Sequence, residues 1–256
     1  MVGNVSGTSS TLLSAGDKIT GVAISPDRKW IAYTTPPAVF VVGVDGSSPH
    51  QVSEPITPPA GYDVTLDGPE WSPDGNTIYL GYGLYDSESG GTALSTVAVG
   101  GGAVTMLQAA MGSNCTGVSD PRFSPDGSYL IALHSVCIDG NNEGLWKHTP
   151  DGSGALLVHA ELELTKPLIF PDGTILALGQ VGSADGILVV GNGAVTGTIP
   201  APAGYSMDSI TESPDGSTLV VQGHDTTMFA NDLYVTTDLQ NFTPITTDGK
   251  NKFPSF

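Results

Sequence analysis

The sequence predicts an all-β protein built from repeated four-stranded antiparallel sheets, and a recurring turn leads to this prediction. An apolar segment enters Ser-Pro-Asp-Gly at residues 72–75, 124–127 and 213–216, and related forms occur at Ser25-Pro26-Asp27-Arg28 and Phe170-Pro171-Asp172-Gly173. The turns recur about every 45 residues, the period of a propeller blade. Because no stretch has sustained helical periodicity, we expect almost no helix.

Each repeat follows the same order of elements. Pro and Asp suit a tight turn, Gly tolerates its positive φ, and a second strand follows, as at 77–82 and 129–135. A variable loop, a third strand and a short fourth strand complete the unit. Four strands in such a repeat predict a β-propeller within a single domain, 1–256. The expected blades are 17–53, 66–107, 118–159, 165–199 and 207–246.

The two chain ends resemble parts of one further blade. Residues 2–14 resemble third and fourth strands, and 250–256 resemble a first strand. Together they predict a sixth blade assembled from both ends, which would cover exposed sheet edges. A three-stranded sixth blade could instead accept a strand from a neighbouring chain.

The Ser-Pro-Asp-Gly repeats resemble the TolB-type β-propeller family, a relative of WD-type repeats, over residues 16–256. Arg28 replaces the turn glycine, and Phe170 stands where Ser precedes Pro in the other repeats. The resemblance implies a periplasmic, extracellular or cell-surface interaction module. Some relatives carry such a domain beside a catalytic one, so fold resemblance alone leaves function open.

The composition is strongly acidic. Eight Lys and Arg stand against 26 Asp and Glu, which gives a formal charge of −18. This charge repels phosphate backbones, so we expect no nucleic acid as a partner and favour cations or basic proteins. The apolar runs are too short to cross a bilayer, and residues 1–7 show no signal-peptide pattern.

The two cysteines are expected to face each other. If Ser124 faces Ser128 and Phe123 faces Tyr129, the same register places Cys115 opposite Cys137, within disulfide reach. A disulfide would imply an oxidising compartment. The alternative is a pair of buried thiols, with a bulge breaking the register.

Propeller geometry gathers the long loops on one face, where binding usually occurs. Two links between blades match, Pro59 to Asp63 and Pro202 to Ser206, through shared turn geometry or as paired aromatic contacts for a ligand. The candidate ligand-face residues are Tyr62, Asp63, Asp67, Asp86, Glu88, Tyr205, Asp208, His224 and Asp225.

Two further kinds of site remain open. Asp139, Asn141 and Glu143 alternate like the opening of a calcium loop, although an ordinary Asn/Gly turn explains the same residues and no other cofactor is expected. Gly223-His224-Asp225 suggests a histidine oriented by its neighbour. The favoured function is a non-catalytic protein-interaction or assembly module, and the alternative is a propeller lyase or hydrolase with an acidic, metal-binding site.

Overall fold

The computed structural model describes most of the chain, and the described part contains strands and turns with no helix. Within that part, no helix meets the length and hydropathy of a membrane span. The described residues are 2–3, 9–10, 18–86, 90–107, 115–137, 143–159, 164–181, 184–202, 204–213, 216–225, 230–250 and 254–255.

A short ladder of β1 (Val2–Gly3) and β2 (Ser9–Ser10) precedes five antiparallel four-stranded sheets. Sheet 1 contains β3 (Gly21–Ile24), β4 (Trp30–Thr35), β5 (Ala38–Gly43) and β6 (His50–Gln51). Sheet 2 contains β7 (Asp63–Trp71), β8 (Thr77–Tyr85), β9 (Gly90–Ala98) and β10 (Thr105–Met106). Sheet 3 contains β11 (Cys115–Phe123), β12 (Leu130–Cys137), β13 (Gly144–His148) and β14 (Ala155–His159). Sheet 4 contains β15 (Thr165–Ile169), β16 (Ile175–Val181), β17 (Ala184–Gly191) and β18 (Ala194–Pro200). Sheet 5 contains β19 (Tyr205–Glu212), β20 (Leu219–Asp225), β21 (Asn231–Thr236) and β22 (Thr243–Pro244).

Hydrogen bonds between residues of the repeated turn stabilise it locally. In sheet 3, Ser124 Oγ donates to Asp126 Oδ1 at 2.7 Å, and the same oxygen accepts the backbone amide of Ser128 at 3.1 Å. Gly127 has φ 69°, the conformation that favours glycine. Arg28 takes φ 59° at the equivalent position, so the turn forms there without a glycine.

A bulge interrupts the first strand of sheets 2 to 5. The residues at three of these bulges are left-handed and precede a proline: Gly68 (φ 56°), Asp120 (φ 51°) and Lys166 (φ 50°). The fourth bulge lies between Met207 and Ser209. The strands continue past the bulges, so β7 and β11 begin at Asp63 and Cys115, ahead of the positions 66 and 118 expected for those blades.

The chain divides into two compact units, Leu12–Leu162 and Met1–Thr11 with Glu163–Phe256. In the first unit, sheets 1 and 2 share a core that includes Ala32, Leu66 and Leu80, and Trp71 Nε1 donates to the carbonyl of Ala23 at 3.1 Å. In the second, sheets 4 and 5 pack through residues such as Ile187 and Ile210. The single-domain expectation for 1–256 stays a prediction.

The expectation of a sixth blade is wrong for the part of the chain that the structure describes, which forms five four-stranded blades. The N-terminal segment contributes only the ladder in which Val2 pairs with Ser10 and Gly3 with Ser9. Within 250–256, Lys250 bridges to Asn231 of sheet 5, while Pro254 and Ser255 lie in no strand. The C-terminal residues therefore supply no first strand to that ladder among the described positions.

Candidate functional site

We call the edge where the second strand of a sheet ends and the third begins the loop edge. Two links that arrive there adopt the same turn. The amide of Tyr62 donates to the carbonyl of Pro59 at 3.1 Å, and that of Tyr205 donates to Pro202 at 3.0 Å. The preceding glycines, Gly61 and Gly204, have φ 90° and 86°. The two links therefore share their turn geometry.

The turn in sheet 2 places a tyrosine against an aspartate. Asp63 pairs with Tyr85 across the β7–β8 hairpin, and the hydroxyl of Tyr62 hydrogen bonds to Asp86 just beyond that pair. The hydrogen bond and the negative charge of Asp86 raise the pKa of Tyr62. Asp63 and Tyr85 are exposed at this edge.

Sheet 5 repeats the pairing of tyrosine and aspartate. Tyr205 lies opposite Asp225, and its ring contacts Tyr234 edge-on with centroids 5.5 Å apart. Burial, a hydrogen bond with Tyr205 and the nearby carboxylates of Asp232 and Asp225 raise the pKa of Tyr234. Tyr234 is therefore a neutral hydrogen-bonding group at neutral pH.

A histidine and an aspartate lie in hydrogen-bond contact at the loop edge of sheet 5. His224 Nδ1 lies 2.8 Å from Asp208 Oδ2, and both side chains are part-exposed, at 22% and 31%. Gln222 Nε2 donates to the same carboxylate oxygen at 3.2 Å and to Asn231 Oδ1 at 3.0 Å. The four side chains form one polar cluster.

The carboxylate described beside His224 Nδ1 is that of Asp208, whereas the sequence suggested Asp225. Consecutive residues of a strand point to opposite faces of a sheet, so the neighbours 224 and 225 of β20 diverge. The bulge between Met207 and Ser209 leaves Asp208 without a cross-strand partner, beside Ser206, which pairs with His224. Asp208 therefore takes the role that the sequence suggested for Asp225.

A second polar contact at this edge involves Asp185. Ser206 Oγ donates to Asp185 Oδ2, and Gln180 Nε2 donates to Asp185 Oδ1 at 2.6 Å. Asp185 belongs to β17 and Ser206 to β19, so this contact joins sheets 4 and 5 within one unit. In the sequence, Asp185 follows the loop between the second and third strands of its blade, and this position could have indicated its role.

The remaining candidates are scattered or lie outside the described residues. Asp67 is half-buried opposite Gly81, before the β7 bulge and several residues from the loop edge. Glu143 immediately precedes β13. Glu88, Asp139 and Asn141 lie outside the described residues, so the calcium loop stays a prediction. Among the described residues, no group of three or more His, Cys, Asp or Glu side chains could hold a metal.

The backbone pairs Cys115 with Cys137, as predicted, although the register between the turn and the cysteines differs from the expected one. Near the turn Phe123 pairs with Leu130, one residue away from the expected register, and the bulge between Ser119 and Arg122 restores it. The cysteine side chains lie outside the described part of the structure. The disulfide therefore stays a prediction that this register supports.

Sequence reasoning missed a buried histidine pair in sheet 3. Nε2 of His134 lies 3.0 Å from Nε2 of His148, and the side chains are 2% and 0% exposed. Burial lowers the pKa of His134 to about 3, with a contribution from His148, and burial lowers that of His148 to about 4. Strand alternation could have revealed His134, since it shares a sheet face with buried Leu130 and Ala132.

Comparison with solved structures gives the fold, which is that of a TolB-like β-propeller. A protein assigned as a TolB from Agrobacterium tumefaciens superimposes with a TM-score of 0.72 at 18% identity, covering 92% of this chain and 83% of that one. TolB from Acinetobacter baumannii gives 0.64 at 19% identity, covering 90% of this chain and 54% of that chain. Oligogalacturonate lyase from Vibrio parahaemolyticus gives 0.55 at 16% identity, covering 91% and 67%. No family model and no curated protein matches the sequence.

Proposed function

We propose that the protein is an exported binding module that holds basic segments of a partner protein, each at the loop edge of a single sheet. The observation that carries this proposal is that tyrosine and aspartate occur together at two loop edges: the hydroxyl of Tyr62 hydrogen bonds to Asp86, and Tyr205 lies opposite Asp225 in the β19–β20 register. Tyrosine offers a large contact area at a low cost in side-chain entropy, and it is enriched at protein interfaces.

The charge of the protein supports a basic partner. The formal charge is −18, and each tyrosine pair has further carboxylates nearby, Asp63 in sheet 2 and Asp232 in sheet 5. Lysine and arginine can pair with the carboxylates and lie over tyrosine rings. A field of this sign also accelerates the association of a cationic partner.

The opposite edge of the sheets has a different chemistry. There the turn aspartates are saturated by local donors, as when Asp126 accepts from Ser124 and Ser128. The turn at Asp126 therefore lies at the other edge of the sheets and supplies the matched control for a binding test.

The test measures binding to an array of extended peptides that differ only in Lys/Arg content. Basic peptides are expected to bind the wild-type protein, more weakly as salt rises, and a Tyr205→Ala/Asp225→Asn variant is expected to lose most of that binding. A Ser128→Ala/Asp126→Asn variant at the opposite edge should keep it. Equal binding of neutral and basic peptides, or equal loss in both variants, would contradict the proposal.

Export is a separate part of the proposal, supported by the register that pairs Cys115 with Cys137. Disulfides persist in oxidising compartments, and the implied family is periplasmic, extracellular or surface-exposed. Protein purified without reductant from its natural source should resist alkylation until it is reduced. If both cysteines of the protein from its natural source react with the alkylating reagent after denaturation without reductant, the result would contradict export.

An enzymatic role is the second candidate, and the contact between His224 and Asp208 favours it. A carboxylate that accepts from Nδ1 fixes the tautomer of an imidazole and suits it to proton transfer through Nε2. Because one fold neighbour is an oligogalacturonate lyase, oligogalacturonate is the first substrate to assay. Turnover by the wild type that His224→Gln abolishes, and that His50→Gln leaves intact, would support this role.

A further inference from the structure

The side chains of His134 in β12 and His148 in β13 contact each other on one face of sheet 3. The two Nε2 atoms lie 3.0 Å apart, with one as donor and the other as acceptor. In the described part of the structure, neither Nδ1 has a hydrogen-bond partner, and both atoms are buried. Neutral imidazoles satisfy the Nε2 contact only in opposite tautomers, so the acceptor ring carries its proton on a buried, unpaired Nδ1.

The pair lies on the face of sheet 3 that packs against sheet 2. Strand alternation places both histidines on the same face as Leu130 and Ala132, which form a core with Tyr79 and Leu94 of sheet 2. The ring of Trp146 lies against His134, with centroids 4.8 Å apart and planes within 16°. The surroundings are therefore aromatic and aliphatic, and they solvate an added charge poorly.

Titratable and charged groups also lie on the packed elements, and the contacts described for them are with groups other than the two histidines. Arg122 of β11 bonds to Glu70 of β7 at 2.8 Å, and the hydroxyl of Tyr79 donates to a backbone carbonyl, that of Pro150. Asp120 of β11 lies at the bulge beside Gly68, and Lys147 of β13 points to the opposite face, over the ring of Tyr129. The turn carboxylate of Asp151 accepts from Thr149 and Ser153.

We propose that the His134–His148 pair is an acid-sensitive switch, which we call the latch. Sheet 3 packs against sheet 2 when both rings are neutral, and this face opens when the rings take up protons. The first proton places an uncompensated charge in the core. The second opposes two N–H groups across the 3.0 Å contact, which no hydrogen bond can accommodate. Opening the face to water relieves both, so acid favours the open form.

The direction follows from proton linkage. Both pKa values, about 3 and about 4, lie below the ordinary value of 6.5, so the opened or unfolded chain binds protons that the closed form refuses. The closed form is fully favoured above about pH 6.5 and is progressively lost as the pH falls toward 4. Two protons taken up together change the opening constant up to about 100-fold per pH unit within that range.

The experiment compares hydrogen exchange and urea unfolding from pH 7.5 to 4.5 in the wild type and in a His134→Phe/His148→Leu variant. Amides of β12 and β13 in the wild type should lose protection in acid beyond the change in intrinsic exchange, and those of β20 should not. The double variant should flatten the dependence, because two apolar side chains replace the pair without leaving a polar atom unpaired. His50→Gln, at an exposed histidine, should retain the wild-type slope.

Identical acid sensitivity in the wild type and the double variant would overturn the proposal. If the double variant does not fold, imidazole nitrogen spectra of the wild-type protein decide the matter. Both rings should stay neutral, in opposite tautomers, in the folded protein at pH 5. A charged His134 or His148 in the folded form at pH 6 would refute the latch.

Discussion

Nδ1 of His224 lies 2.8 Å from Oδ2 of Asp208, a residue that has no cross-strand partner in the β19–β20 hairpin. No residue of β20 lies opposite Asp208, because β19 carries one residue more than β20 at the bulge. The contact therefore depends on a backbone irregularity as much as on the two side chains. The same position in sheets 2, 3 and 4 carries the bulges at Gly68, Asp120 and Lys166.

The first prediction concerns the tautomer of His224. Asp208→Ala removes the carboxylate that accepts from Nδ1, so the ring should change from one Nδ1–H tautomer to a mixture, measurable by imidazole nitrogen chemical shifts. Asp225→Ala should leave the tautomer unchanged, because Asp225 points to the opposite face of the strand. Because both side chains are part-exposed, Asp208→Ala should destabilise the protein by less than about 1 kcal/mol. A tautomer that responds to Asp225 instead would contradict the assignment.

The sequence predicted the repeated sheets because their turns are chemically explicit. Ser124, Asp126 and Gly127 form the expected turn with local bonds, so nothing distant had to be known. Bulges are less explicit in the sequence, and they set the register of the first strands in sheets 2 to 5. The pairing of Cys115 with Cys137 was expected from a register one residue wrong at the turn, and the bulge between Ser119 and Arg122 cancelled the error.

The candidate site was less accessible from the sequence, since its contacts cross strands and sheets. Asp208 replaced Asp225 beside His224 because proximity in sequence does not give proximity of side chains within a strand. The contact of Asp185 with Ser206 joins two sheets and depends on how they pack. The described residues form no sixth blade for a related reason, since similarity to a strand at a chain end does not supply the partner that strand needs.

The second prediction concerns the ion pair that joins sheets 2 and 3. Arg122 and Glu70 are 26% and 18% exposed and 2.8 Å apart, and Glu70 also accepts the amide of Phe123 at 3.3 Å. A double-mutant cycle with Arg122→Met and Glu70→Gln, measured by urea unfolding, should give a coupling of about 1–2 kcal/mol. The exposed pair Asp27–Lys29, separated by 3.6 Å, is the control and should give no measurable coupling. Equal coupling in the two pairs would disprove a structural role for the Arg122–Glu70 pair.

The third prediction concerns acid stability below the range of the histidines. Hydrogen bonds from Ser124 and Ser128 lower the pKa of Asp126 to about 2, so its stabilising contribution is complete above the ordinary value of 3.8 and is lost as the pH falls toward 2. Asp126→Asn should therefore reduce the decline of the urea midpoint between pH 4 and 2. Ser124→Ala should have the same effect in smaller measure, because one of the donors remains. An unchanged decline in Asp126→Asn would show that this turn does not contribute.

The fourth prediction concerns the cysteines. Because Cys115 and Cys137 are paired across β11 and β12, a disulfide between them should stabilise the hairpin, and Cys137→Ser should lower the free energy of unfolding by about 3 kcal/mol under oxidising conditions. The same variant should match the wild type once the wild type is reduced. A difference that persists in reductant would indicate packing of the side chain instead of a disulfide.

The fifth prediction concerns Gly81, where sheet 3 approaches sheet 2 closely. A Cβ at Gly81 would lie 2.8 Å from the carbonyl oxygen of Val118, a backbone atom that cannot rotate away. Gly81→Ala should therefore destabilise the protein by about 1–3 kcal/mol, because the two sheets must separate to admit a methyl group. Gly100→Ala is the matched control, since no atom lies within 4 Å of its Cβ position and its φ is not in the left-handed region, and it should be neutral or slightly stabilising. Destabilisation of the same size in both variants would indicate a general effect of alanine and would contradict a specific close approach at Gly81.

The same substitution should affect the acid opening of sheet 3. Because Val118 pairs with His134 across β11 and β12, Gly81→Ala should shift the acid opening of β12 and β13 to higher pH, measured by hydrogen exchange.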